Sequence, residues 1–105
     1  MDGSASVATD VLASYAADAA REVDGVAGLV NGRLPRQGAV RVSEEDGRLS
    51  LELHLELAWG ARAETVGSEV QRRVADYLER MAGTRPHAVD VVVDDVAQPF
   101  QRARP

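Results

Sequence analysis

Residues 48–59 read RLSLELHLELAW, and the alternation in that stretch decides the architecture. Leu49, Leu51, Leu53, Leu55, Leu57 and Trp59 occupy every second position, with Ser50, Glu52, His54, Glu56 and Ala58 between them. Successive side chains of a strand point to opposite faces, so the pattern predicts one apolar, covered face and one wet face. Directly afterwards the apolar spacing changes to three or four. Val66, Val70, Val74, Tyr77, Leu78 and Met81 form the stripe of a helix that Gly83 ends. On the far side of that helix Glu69 with Arg73, Arg72 with Asp76, and Asp76 with Arg80 stand four apart as ion pairs. Val89, Val91 and Val93 then alternate with Asp90 and Asp94 in a final strand. A strand-helix-strand unit within one sheet makes its two strands parallel.

Working back from the leucine strand, Val40 and Val42 alternate with Arg41 and Ser43 ahead of Asp46-Gly47. Glycine accepts the positive φ of a tight turn, so residues 39–58 read as an antiparallel hairpin. Further upstream, Thr9 or Asp10 caps a helix whose inner stripe is Val11, Leu12, Tyr15, Ala16, Ala19, Ala20 and Val23, with Asp18, Arg21 and Glu22 outside. Its many alanines let it lie close to a sheet, and Tyr15 is its one large anchor. Gly25 stops the helix, and Val26 to Val30 form a short extended segment before the Asn31-Gly32 turn signal and a surface loop over residues 33–38. The predicted fold class is α+β. It is a two-layer sandwich with a small mixed sheet, built from the hairpin and the strand-helix-strand crossover, and both helices lie on one face. Residues 1–8 read as a flexible N-terminus, residues 9–96 as a single domain, and residues 97–105 (AQPFQRARP) as a flexible C-terminal tail.

Bulk composition removes several function classes. A chain of 105 residues with 45% apolar content has one core. It contains no cysteine, which excludes disulfides, thiolate nucleophiles and thiolate metal sites. The formal charge is -5, and Arg102 and Arg104 in the tail leave the rest of the chain more acidic still. That sign opposes binding to nucleic-acid phosphates and to anionic lipid headgroups. No basic segment leads into an apolar run after Met1, and no apolar stretch approaches the roughly 18 residues of a membrane span. A cytoplasmic protein is expected, meeting the inner membrane face from the surface or through a partner.

Three side-chain groups invite a chemical reading. Glu52, His54 and Glu56 share one strand face and carry metal-ligating groups, but from first to last they span ~14 Å at the usual rise, too far for one ion to gather them easily. A solvated outer face explains them as well. Asp90, Asp94 and Asp95 form a second carboxylate cluster, equally explained as charges that discourage edge-to-edge aggregation. His87 has no nucleophile to serve, since Ser43, Ser50 and Ser68 stand in no recognisable nucleophile setting. Gly25, Gly28 and Gly32 lack the spacing of a phosphate-binding loop. No catalytic residue, cofactor site or metal site is therefore expected. Phe100, flanked by Pro99 and followed by Arg102 and Arg104, reads as either an ordinary chain end or a short linear binding segment.

Taken in order, these elements resemble the alkaline shock protein family. Its members begin with an alanine-rich helix leading into a Glu-Val-x-Gly-Val turn, matched here by Glu22, Val23, Gly25 and Val26. A valine strand, an acidic Gly turn and a long alternating strand ending in an aromatic-Gly pair follow, matched by Val40, Val42, Asp46, Gly47 and Trp59-Gly60. A Val-Gln-x-x-Val helix is matched by Val70, Gln71 and Val74, and a valine-aspartate strand by Val89, Val91, Val93, Asp95 and Val96. The family usually has a bulky aliphatic residue at Tyr15, tyrosine at Trp59, and lysine-rich tails that are missing here.

The resemblance implies a non-enzymatic protein of cell-envelope homeostasis and stress response, in some members held at the membrane by an integral-membrane partner. It transfers no catalytic residues. The expected activity is that of a scaffold that binds itself or a membrane-anchored protein, with Glu52, His54, Glu56, Val92, Val96, Phe100 and Arg102 as the interaction surface. The alternative is a small nucleic-acid-binding α+β module. Its bare sheet face would need stacking aromatics and arginines where this sequence has glutamate and aspartate.

Overall fold

The computed structural model describes residues 2–30 and 38–98, with side chains from residue 9 onward. Helix α1 spans Asp2–Arg21, followed by strands β1 (Val26–Leu29), β2 (Val40–Glu45) and β3 (Arg48–Leu57), helix α2 (Ala63–Ala82) and strand β4 (Ala88–Val96). The leucine strand is the hub of the sheet. β1 and β2 both pair antiparallel with β3, β1 along Leu55–Leu57 and β2 along Arg48–Leu53, so the two lie end to end on one side. β4 pairs with β3 in parallel on the other side, from Ser50 opposite Ala88 to Leu57 opposite Val96. The sheet is mixed, as the strand-helix-strand pattern requires.

Both helices pack on the face that carries the leucines. Leu49, Leu51, Leu53, Leu55 and Leu57 are buried together with Ala16, Ala19, Ala20 and Val23 of α1 and its exit turn, and with Val66, Val70, Val74 and Leu78 of α2. Burying each of these leucines contributes about 1.5–3 kcal/mol on transfer from water, so β3 supplies much of the apolar stabilisation. Tyr15 of α1 meets Tyr77 of α2 edge to face, with ring centroids 5.8 Å apart and planes at 87°. Asp46 and Gly47 turn the β2–β3 hairpin with φ of 56° and 75°. Positive φ at both central residues matches the right-handed twist of the flanking strands.

Gly25 joins α1 to the sheet. Its φ is 99°, and its carbonyl accepts a hydrogen bond from the Ala58 amide at 2.8 Å. A Cβ built there would stand 2.5 Å from Cγ2 of Val66 in the first turn of α2. The absence of a side chain thus allows α1, β1 and α2 to meet at one point.

Several sequence expectations are corrected. α1 begins at Asp2 rather than at Thr9, the helix continuing back through Ala8 and Ala5, both strong helix formers. Trp59 leaves the core and is 64% exposed. β3 ends at Leu57, and the Ala61 amide bonds back to the Ala58 carbonyl with Gly60 at φ 86°, which puts Trp59 at a turn corner. Met81 and Val11 are also exposed: Leu78 is the last buried residue of α2, and Val11 lies in α1 ahead of Ala16, its first buried residue among those described. On the outside of α2, Glu69 accepts from both Arg72 and Arg73, and Arg72 approaches Asp76 at 3.9 Å. The expected Asp76–Arg80 pair is replaced: Arg80 lies over the Tyr77 ring at 5.6 Å, and Asp76 faces Arg85. The Asn31-Gly32 turn and most of the 33–38 loop lie outside the described residues.

Candidate interaction surface: the open sheet face

Since the helices take the leucine face, the other face of the sheet has no layer over it among the described residues. Alternation along β3 turns Ser50, Glu52, His54 and Glu56 onto this open face, and the registers add Arg41 and Ser43 from β2 and Ala88, Asp90 and Val92 from β4. Toward its end β4 departs from regular pairing. Val93 stands opposite Leu55 and Asp95 opposite Glu56, so Asp94 is an extra residue without a partner on β3. Such a bulge re-aims a side chain, and here it brings the Asp94 carboxylate over β3.

His54 is the centre of the face. Its Nδ1 lies 2.7 Å from Asp94 Oδ2 and its Nε2 lies 2.8 Å from Glu52 Oε2. An ionised carboxylate can only accept, so in the imidazolium form both ring nitrogens donate, one to each carboxylate. Burial pulls the His54 pKa down, but the hydrogen bonds and negative charges of Asp94 and Glu52 outweigh it and hold the pKa above its ordinary value. Glu52 also faces Arg41 across the hairpin at 3.9 Å. The chain Arg41, Glu52, His54, Asp94 therefore crosses β2, β3 and β4 and ties the three strands on their solvent side.

The arrangement disfavours a metal site. His54 has no free lone pair while both nitrogens donate, and Oε1 of Glu56 lies beside Gly28 of β1. Among the described residues no three His, Asp or Glu side chains are placed to hold an ion. Asp90 sits opposite Glu52 in the β4 register and, like Glu56, makes no ion pair among the described residues.

Of the sequence-predicted surface, Glu52, His54, Glu56 and Val92 come together on the open face, with Val92 opposite His54 in the register. Val96 does not join them. It pairs with Leu57, so it belongs to the helix side, where it is 42% exposed beyond the cover of α2. Phe100 and Arg102 lie outside the described residues. Sequence reasoning missed Asp94 and Arg41 as partners of the His54 network. Even-numbered spacing from Asp90 placed Asp94 on the wet face, yet only the parallel register and the bulge bring it to His54.

A family model for alkaline shock proteins, described as having cell envelope-related function, matches residues 1–98. No curated protein matches the chain. Among solved structures, a doubly substituted MamM CTD aligns at TM-score 0.64 with 15% identity, covering 91% of this chain and 90% of that one. A zinc form of another MamM CTD variant aligns at 0.61 with 16% identity, covering 83% and 85%. A manganese form of a third aligns at 0.54 with 15% identity, covering 83% and 98%. The metals belong to those structures, and at such identities the likeness carries the α+β fold alone.

Proposed function

The chain belongs to the alkaline shock protein family, with its cell envelope-related function, and on that premise we propose that it is a non-enzymatic docking domain whose open sheet face binds a protein. The observation that carries this reading is the uncovered face itself, crossed by a polar chain from Arg41 to Asp94 and bearing carboxylates at Glu56 and Asp90 that make no ion pair among the described residues. A surface so acidic suits a basic partner segment and repels a phosphate backbone. The partner is either a second copy of the chain or a membrane-anchored protein that holds this domain at the inner membrane face. No helix among the described residues is long and apolar enough to cross a membrane.

Charge reversal tests the reading. In the full chain, Glu56→Arg with Asp90→Arg is expected to abolish retention of the protein by membrane extract and any concentration-dependent oligomer seen by light scattering. The double variant should keep the wild-type melting temperature. Retention and association that survive the reversal would remove the open face as the docking surface.

A further inference from the structure

At the end of the sandwich where β3 begins, a cleft of about 610 Å³ opens between α1, the β2–β3 turn and the end of α2. That volume falls in the range of small-molecule sites. Part of its wall is apolar, Val11 and Leu12 from α1, Leu49 from β3 and Ala82 from α2, with Thr9 and Thr84 beside them. Val11 remains 41% exposed on this wall, and Met81, the neighbour of Ala82, is 48% exposed. The rim carries Arg48, Arg85 and His87, with Glu44 the one acidic residue among the lining. Glu45 stands opposite Arg48 in the hairpin register. Arg85 is held by Glu79, whereas Arg48 makes no ion pair among the described residues and its guanidinium is available to a ligand.

Apolar side chains beside the unpaired Arg48 guanidinium select a ligand with both parts. We propose that this cleft binds a single acyl chain bearing an anionic head group, carboxylate or phosphate, with the chain against Leu12, Leu49 and Ala82 and the head at Arg48 and His87. Burial of its methylenes against that wall gives the acyl part its affinity. A guanidinium hydrogen-bonded to an anionic head makes the strong, charge-assisted kind of contact, which decides between an acid and its neutral analogue. The site lies at the opposite end of β3 from Trp59 and does not depend on the reading of the open sheet face.

The test uses the full chain with 1-anilinonaphthalene-8-sulfonate, an anionic amphiphile that fluoresces in apolar sites, and dodecanoate below its micelle concentration as competitor. Saturable binding of one probe per chain is expected, displaced by dodecanoate and not by dodecanol. Arg48→Glu should weaken it by about tenfold or more. Ala82→Trp, which fills the cleft, and Val11→Glu, which places a carboxylate in its wall, should each abolish it. Val11 and Ala82 are both exposed, and unchanged thermal melts of the variants would separate loss of the site from loss of the fold. Non-saturable binding, equal displacement by dodecanol, or binding that survives both cleft variants would overturn the proposal. So would sedimentation with phosphatidylglycerol vesicles unaffected by Ala82→Trp, which would place the contact on a bilayer surface.

Discussion

The carboxylate of Asp94 lies 2.7 Å from Nδ1 of His54, so a residue added by a bulge in β4 holds the ring of its neighbour on β3. The pair has a pH signature. Net of its burial, the His54 pKa is higher in the folded chain than in the unfolded one. Its contribution to stability is therefore complete below the unfolded value, ~6.5, and is lost as pH rises through the folded value. Thermal melts across neutral and mildly alkaline pH should show a falling midpoint for the wild type. Asp94→Asn removes one of the two charges and should flatten that slope; an unchanged slope would mean that the pair does not set it.

Gly25 makes a second prediction, about packing. Gly25→Ala must hold a side chain at φ 99° and place its methyl against Val66. The backbone strain alone costs about 1–3 kcal/mol, and displacement of α2 adds to it. For a domain of this size each kcal/mol lowers the melting midpoint by about 4–8 °C. A melting midpoint within a degree or two of wild type would show that α2 yields freely at Val66.

Large apolar residues on one alternating run should differ sharply in their worth. Leu53 is fully buried, and Leu53→Ala should cost about 2–5 kcal/mol. Trp59 continues the same run but is 64% exposed, and Trp59→Ala should lie within about 0.5 kcal/mol of wild type. Urea titrations of the two variants measure both; a large loss for Trp59→Ala would place its ring in a contact that folding requires.

That contrast also marks what the sequence makes legible. Period two along Leu49–Leu57 and period three to four along Val66–Leu78 both reflect burial against a single layer, so β3, α2 and their shared core could be read directly. Asp46-Gly47 likewise announced its turn through the backbone angles it needs. Trp59 misled because an apolar residue keeps its parity in the sequence after the chain has already turned at Ala58–Ala61. The His54 network was hidden for a different reason. Glu52 and His54 are neighbours on one strand, but Arg41 and Asp94 join them only through the registers of β2 and β4, and a strand's own residues do not encode its offset against another. The placement of β1 and β2 end to end on one edge was likewise a matter of tertiary assembly.

The pairing of β1, β2 and β4 with β3 alone governs how the chain gains and loses its structure. Among the described residues no two of those three strands pair with each other, so no fragment of the sheet is complete without β3. The ladder from Ser50–Ala88 to Leu57–Val96 also joins segments separated by the whole of α2, a closure that costs chain entropy. Assembly is therefore expected to be all-or-none. Amide hydrogens at Leu51, Leu53 and Leu55 should exchange only through global opening, at one shared free energy, and a lower barrier at any of them would show that the sheet comes apart in pieces. A chain that passes between its two states in one step spends little time with half-built edges exposed, which limits its chances of pairing with the wrong neighbour.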